Sequence, residues 1–349
     1  MPSIAVLPGD GIGKEVINEG LKVLNFMGEK YSLNLKFEEF DIGAERFLKY
    51  GELIPDSILK RLETFDAIYL GAVGDPRVPA GILEHGILLK LRFHFDQYVN
   101  LRPIKLLNDR FSPLKKKGVN EINFTVIREN TEGLYAGIGG ILKKDTQDEV
   151  AIQEMISTRK GVERIIRYAF EYAKNINGKL TLCDKSNVLT YSHGLWLRVF
   201  EELKKEYPEV QTDHYYVDAI TMKMVRNPEI FDVIVTCNMF GDIITDLGAE
   251  LQGGMGLAAS GNINPNTVSM FEPVHGSAPD IAGKGIANPL AAILAAAMML
   301  EYLGRKDLSD KIEGAIKISI DENLLSKDMG GNLSTGEVGD EIVKILKRG

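Results

Sequence analysis

The sequence predicts an α/β protein with substantially parallel strands, and three observations carry that expectation. Short apolar runs of strand length alternate with longer segments whose apolar residues recur at helical spacing, as repeated strand–helix units require. Hydrophobic residues make up 44% and charged residues 26% of the chain, ordinary for a protein that buries a core and unlike disordered, collagen-like or coiled-coil sequences. With 349 residues, and a prior of roughly 150 per domain, two cores are expected.

Ile4 to Leu7 reads as the first strand, and Ile17, Leu21 and Leu24 share one face of the helix that follows. Between them, Gly9-Asp10-Gly11-Ile12-Gly13 stands where a dinucleotide fingerprint would lie. The third glycine of G-x-G-x-x-G falls on Lys14, which excludes the standard Rossmann motif and leaves a tight strand-to-helix turn. Ala67 to Val73 is the next strand, ending in Gly-rich sequence, and Phe124 to Ile127 another. From Thr131 to Glu154 the text is Gly-rich, then polar and β-prone, as in a projecting arm. Val162, Ile165, Ile166, Ala169, Phe170 and Ala173 form one helical stripe; Leu180 to Cys183, Tyr215 to Val217 and Phe231 to Thr236 are further strands. Leu290 to Leu300 is the longest apolar run, too short to span a bilayer, and reads as a buried helix. No repeat, low-complexity tract or linker marks a domain boundary.

Lys plus Arg number 41 and Asp plus Glu 49, so the net charge of −8 has the wrong sign for binding nucleic acid. An anionic substrate would need a local cluster of cations. Cys183 and Cys237 are too few for a disulfide framework and are not spaced as metal pairs. That fits a reducing compartment, and the N-terminus lacks a signal-peptide pattern, so a cytoplasmic protein with no membrane partner is expected.

Ligand sites in parallel sheets gather beyond the carboxyl ends of the strands. Asp242 and Asp246 follow one strand at a spacing that puts both on one helix face, and Asp218 follows another. Oxygen-only ligands suit Mg²⁺ or Mn²⁺, although acidic residues at a helix start also complement its N-terminus. Arg92, Arg102 and Arg128, in LKLRF, NLRPI and VIREN, offer guanidinium forks for carboxylates, or single surface ion pairs. Lys185 and Tyr135 could move protons; a lysine near its usual pKa of about 10.4 becomes a useful base only beside other cations. In FEPVHGSAPDIAGKGIANP, small residues permit close backbone approach, His275 offers a stacking face and Asp280 an acceptor for ribose hydroxyls; a plain surface loop is the alternative.

Taken together, LPGDGIGKEV, NLRP, VIRENTEG, DKSNVL, NMFGDIITD and EPVHGSAPDIAGKGIANP stand in the order found in the β-decarboxylating dehydrogenases, and the chain resembles that family over nearly its whole length. These are the isocitrate, 3-isopropylmalate, homoisocitrate and tartrate or D-malate dehydrogenases. The resemblance implies an isopropylmalate/isocitrate dehydrogenase-like two-domain fold. Residues 1–98 and 252–349 would form a discontinuous first domain with the NAD-binding loop, and residues 99–251 an inserted second domain with the dimer interface and a clasp arm near 137–154. It also implies a homodimer, alone or within a tetramer, in which Lys185, Asp218 and Asn187 reach the partner's site.

The roles implied are catalysis by Tyr135 and Lys185, a divalent metal on Asp218, Asp242 and Asp246, and substrate carboxylates on Arg92, Arg102 and Arg128. NAD would be met by His275, Gly276, Ser277, Ala278, Asp280, Ile281, Asn288 and Asn187. Asp280 followed by Ile281 resembles NAD-using members, because a carboxylate pairs with ribose hydroxyls and repels a 2′-phosphate. VPAGILEHGILLKLRF most resembles the isopropylmalate-using members, with Leu88 and Leu89 facing the isopropyl group. The implied reaction is oxidative decarboxylation of 3-isopropylmalate in leucine biosynthesis. FDQYVNLRP also resembles the D-malate and tartrate enzymes, and homoisocitrate is a further alternative. Glu84 stands eight residues before Arg92, one more than in many isopropylmalate members, where a glutamate approaches the nicotinamide.

Overall fold

The computed structural model describes residues 2–349, which divide into two compact units. The first joins the chain through Gln97, Leu106–Gly118 and Gln252–Gly349; the second is Tyr98–Lys105 with Val119–Leu251. The first unit opens with β1 (Ser3–Gly9), α1 (Gly13–Lys30), β2 (Lys36–Glu39), α2 (Ala44–Tyr50), α3 (Asp56–Leu62), β3 (Ala67–Ala72) and α4 (Lys90–His94). The second contains β4 (Val99–Lys105), β5 (Asn123–Glu129), β6 (Gly139–Leu142), β7 (Val150–Gln153), α5 (Arg159–Asn175), β8 (Leu180–Asp184), α6 (Ser192–Leu203), β9 (Thr212–Tyr216), α7 (Val217–Arg226), β10 (Val233–Thr236) and α8 (Asn238–Leu251). The chain then returns to the first unit with β11 (Ala259–Ile263), β12 (Ser269–Pro273), α9 (Leu290–Tyr302), α10 (Lys306–Asp321) and α11 (Thr335–Arg348).

In the first unit the strand order is β2-β1-β3-β12-β11, parallel except for β11 against β12. A strand from late in the sequence thus lies directly beside β3, which differs from the all-parallel 3-2-1-4-5-6 Rossmann order. The continuous apolar text of β1 and β3 is explained by burial on both faces. Ile4 and Val6 join a core with α1, α9, α10 and α11, while Ala5 and Leu7 join another with α2, α3 and the residues around α4. The apolar run at Leu290 is the buried helix α9, against which the Tyr69 hydroxyl donates to the Ala292 carbonyl at 2.7 Å. Ser334 and Glu337 close a capping box at the start of α11.

In the second unit the order is β4-β5-β10-β8-β9, with β4 antiparallel and the others parallel. Register aligns the carboxyl ends: Thr236 lies opposite Arg128 and Cys183, and Asp184 opposite Tyr216. Every residue of the predicted α5 stripe is fully buried. The segment read as an arm contains an antiparallel hairpin, β6 with β7, whose strand residues are all exposed.

Several boundaries differ from the sequence reading, three of them near the candidate site. Val217 opens α7 instead of ending a strand, and Phe231 and Asp232 precede β10. The helix carrying Asp242 and Asp246 starts at Asn238, so neither carboxylate sits at its N-terminus. Cys183 and Cys237 are free and buried, and no described helix is long and apolar enough to cross a membrane.

Candidate active site

The carboxyl edge of the second unit's sheet gathers a cluster around α8. Arg128, near the end of β5, is 1% exposed. Its Nε and Nη2 donate to Asn238 Oδ1 at 3.0 and 2.7 Å, and its Nη1 to Asp242 Oδ1 at 2.5 Å. Antiparallel β4 supplies Arg102, whose Nε donates to Asn100 Oδ1 and Nη1 to Thr245 Oγ1, both at 2.6 Å. Its guanidinium lies 3.7 Å from Asp242 and 3.9 Å from Asp246. Asn238, Asp242, Thr245 and Asp246 can all meet these arginines because three- and four-residue steps stay on one helix face. Gly241 belongs to that face: a Cβ there would stand 2.4 Å from Arg128 Cγ, so glycine lets the arginine stem pass.

Tyr135 completes the cluster by donating its hydroxyl to Asp242 Oδ2 at 2.7 Å, with the Arg128 guanidinium 5.2 Å from its ring centre. Burial opposes charge on Asp242, yet Arg128, the Tyr135 hydroxyl and Arg102 together hold its carboxyl below the usual range. Asp246 moves the other way, raised by burial and by repulsion from Asp242. Tyr135 is also raised, by burial and by its bond to Asp242, and so keeps its proton at neutral pH.

Lys185 and Asp218 form a second pair, Nζ to Oδ1 at 2.6 Å, which lowers the exposed Asp218 carboxyl. Lys185 directly follows β8, and Asp218 is the second residue of α7. The Lys185 amide donates to Nδ1 of His193 at 2.9 Å, and the buried Asp184 carboxylate is bonded by His214 Nε2 at 2.8 Å. His193 is fully buried, and burial pushes its pKa down to about 4. Asn187 is exposed. Two of the three predicted metal ligands thus share a cluster, while Asp218 pairs with Lys185. Among the described residues, no group of three acidic, histidine or cysteine side chains suited to a metal is assembled.

The remaining predicted residues belong to the first unit. Arg92 lies on α4, 4% exposed, with Nη2 donating to Glu272 Oε1 at 3.1 Å. The turn before α4 brings Leu89 into a buried position and packs the half-buried Leu88 against the neighbouring core. Glu84 in the same turn is exposed and accepts the Gly81 amide. In the loop after β12, Gly276 and Asp280 are exposed, Ser277 is buried, and Ala278 and Ile281 pack against the core. Burial lowers the pKa of His275; its Nδ1 faces the Gly276 carbonyl, and its Nε2 is buried without a partner among the described residues. Asn288 is occupied internally, donating to Asp328 and accepting the Leu290 amide.

Sequence reasoning passed over Asn238, Thr245, Asn100, Glu272 and His193. Asn238 and Thr245 had a usable signal, since each is three or four residues from Asp242 on a helix. Asn100 also had one, since it lies two residues from Arg102 on the same strand face; Glu272 and His193 had none, because their partners are reached only through tertiary packing or a loop that folds back.

Residues 3–342 match the isocitrate/isopropylmalate dehydrogenase family. A 3-isopropylmalate dehydrogenase of Thermobifida fusca is 52% identical over 344 residues, covering 98% of this chain and 96% of the relative. One of Corynebacterium glutamicum is 52% identical, covering 99% of both. Among solved structures, isocitrate dehydrogenase from Methylococcus capsulatus superposes with a TM-score of 0.91 at 38% identity, covering 99% of this chain and 100% of that one. The first unit built from both ends of the chain, the arginine–aspartate cluster on α8 and these full-length likenesses have one reading: the chain is an enzyme of the isocitrate/isopropylmalate dehydrogenase family.

Proposed function

We propose that the protein oxidises and decarboxylates 3-isopropylmalate with NAD and Mg²⁺ or Mn²⁺, in the cytoplasm, as a step of leucine biosynthesis. The observation that carries the reading is the α8 cluster: a charged Asp242 beside a raised Asp246, two buried arginines and a protonated tyrosine. The substrate follows from the relatives at 52% identity, which are named for it.

The donors fit a divalent cation. Asp242 and Asp246 offer only oxygen, and the repulsion between them is what such a cation relieves. Asp218 from a second copy would be the third ligand. Asp280 and the unpartnered His275 Nε2 fit the adenosine half of a dinucleotide, with Gly276, Ser277, Ala278 and Ile281 allowing close approach. Asn288 would exchange an internal bond for adenine, and Asn187 would come from the partner.

When bound, the cation supplies Lewis acidity at the substrate hydroxyl and NAD supplies the hydride acceptor. Arg92, Arg102 and Arg128 hold the substrate carboxylates by guanidinium forks. Lys185 takes the hydroxyl proton as the carbon beneath it is oxidised. The ketone then lies β to a carboxylate, CO₂ departs, and Tyr135 returns a proton to the carbon it leaves. Leu88 and Leu89 suit an isopropyl group and offer no partner to the extra carboxylate of isocitrate or homoisocitrate.

A second copy is supported by exposed apolar residues of the second unit. Ile141, Leu142, Val150 and Ile152 on the hairpin, and Met222, Val225 and Ile243 on α7 and α8, are exposed apolar side chains that a second copy would cover. The test is kcat/KM for 3-isopropylmalate, D-malate, tartrate, homoisocitrate and isocitrate with NAD and either metal. Isopropylmalate should lead D-malate by roughly 10- to 200-fold, the range available to a small apolar group. Preference for a tricarboxylate would overturn the pocket assignment, and preference for D-malate the substrate.

A further inference from the structure

The Gly9–Gly13 turn has no task in the mechanism above, yet it is bonded to the loop that follows β12. The Ile12 amide donates to the Ser277 carbonyl at 2.9 Å, and a Cβ on Gly11 would stand 2.1 Å from that same oxygen, so glycine is needed for the contact. In the first turn of α1, Glu15 Oε1 accepts the Gly283 amide at 2.5 Å and Oε2 accepts the Gly285 amide at 3.1 Å. These bonds bracket Asp280 on both sides. Beyond them, the Thr335 amide donates to the Gly285 carbonyl at 2.9 Å and its hydroxyl to Ala287 at 2.7 Å. Inside the bracket Ala278 is held at φ +40°, a conformation that persists only where the surroundings impose it.

We infer that Glu15 is a positioning residue for the dinucleotide: its carboxylate clamps two amides of the loop and so holds Asp280 and its neighbours ready for the adenosine ribose. The inference rests on the reading of this loop as the NAD site. Charge-assisted bonds to backbone amides are the stronger class of hydrogen bond, and both carboxylate oxygens are used. Without them the loop samples other conformations, and apparent affinity falls by the fraction of time it is incompetent. Tyr135 and Lys185, the proposed proton-moving residues, make no contact with Glu15 and are untouched.

The test compares Glu15→Ala, Glu15→Gln and Asp280→Ala in the full-length enzyme. Glu15→Ala should raise KM for NAD roughly tenfold, with kcat at saturating NAD and KM for the hydroxy acid within about twofold, and Glu15→Gln, keeping one acceptor, should fall between. In cofactor-free protein, amide exchange across residues 276–289 should quicken by about the same factor, in the same order of variants. NAD affinity measured directly by calorimetry should follow. Unchanged NAD affinity in Glu15→Ala beside a loss in Asp280→Ala overturns the inference alone. No change in either variant overturns it together with the NAD assignment of the loop. Loss of kcat with KM unchanged also overturns it.

Discussion

Asp242 takes donors from two separate elements, a guanidinium from β5 and a hydroxyl from the segment before the hairpin, with Arg102 of β4 close by. The fork of Arg128 is divided between Asp242 and Asn238, which a lysine cannot reproduce. Arg128→Lys should therefore cut kcat/KM by about 100-fold or more, while the thermal midpoint moves little, as steady-state kinetics and melting curves will show. His193 gives a pH prediction. Its folded pKa of about 4 lies below its ordinary 6.5, so the unfolded chain binds more protons between those values and stability falls as pH drops through that window. The term is on the order of 3 kcal/mol. The cost of His193→Leu, measured by urea unfolding at pH 7, should shrink by about that amount at pH 4; a cost independent of pH would contradict it. At this scale Arg102, Arg128, Asp242 and Asp246 are legible because their motifs are charged and spaced. His193 is not, because a histidine in an amphipathic helix looks like core, and its bond to Lys185 depends on the turn of 185–192.

Among the elements, the β6–β7 hairpin is the least able to stand alone. Two strands without a covered face are marginal in water, and here every strand residue is exposed. Leu142→Glu combined with Ile152→Glu should leave the circular dichroism spectrum near native but shift the protein toward monomer in sedimentation, with loss of turnover. A doubly substituted dimer of full activity would contradict the arm's role. The long α5 stripe and α9 were visible in the sequence because period and burial agree. β2 and β12 were not: KFEE is polar edge text, and SMFEP ends in glutamate and proline, so neither has the apolar run of a central strand. The start of α8 was misplaced by four residues because the acidic pair drew it to Asp242, although Asn238, a residue type common at helix starts, opens it.

For the molecule as a whole, net charge argued against polyanions and left open how a dicarboxylate could be held; under the proposed function the buried Arg92, Arg102 and Arg128 would supply the local cations that the negative average lacks. The discontinuous first unit could not be seen from periodicity, since β12 joins β3 across some 200 residues of intervening chain, and only ordered motifs pointed to it. The structure holds Asp242 with Tyr135 in one cluster and Lys185 with Asp218 in another, and under the proposed function the chemistry would be divided between copies along that line. The most direct test mixes two inactive variants, Lys185→Ala and Asp242→Asn, under conditions that let subunits exchange. If each site draws on both copies, random pairing restores about one quarter of the wild-type sites, because half of the dimers are mixed and each mixed dimer holds one intact site. If the two variants stay inactive after proven exchange, each chain builds its own site and the shared-site account is wrong.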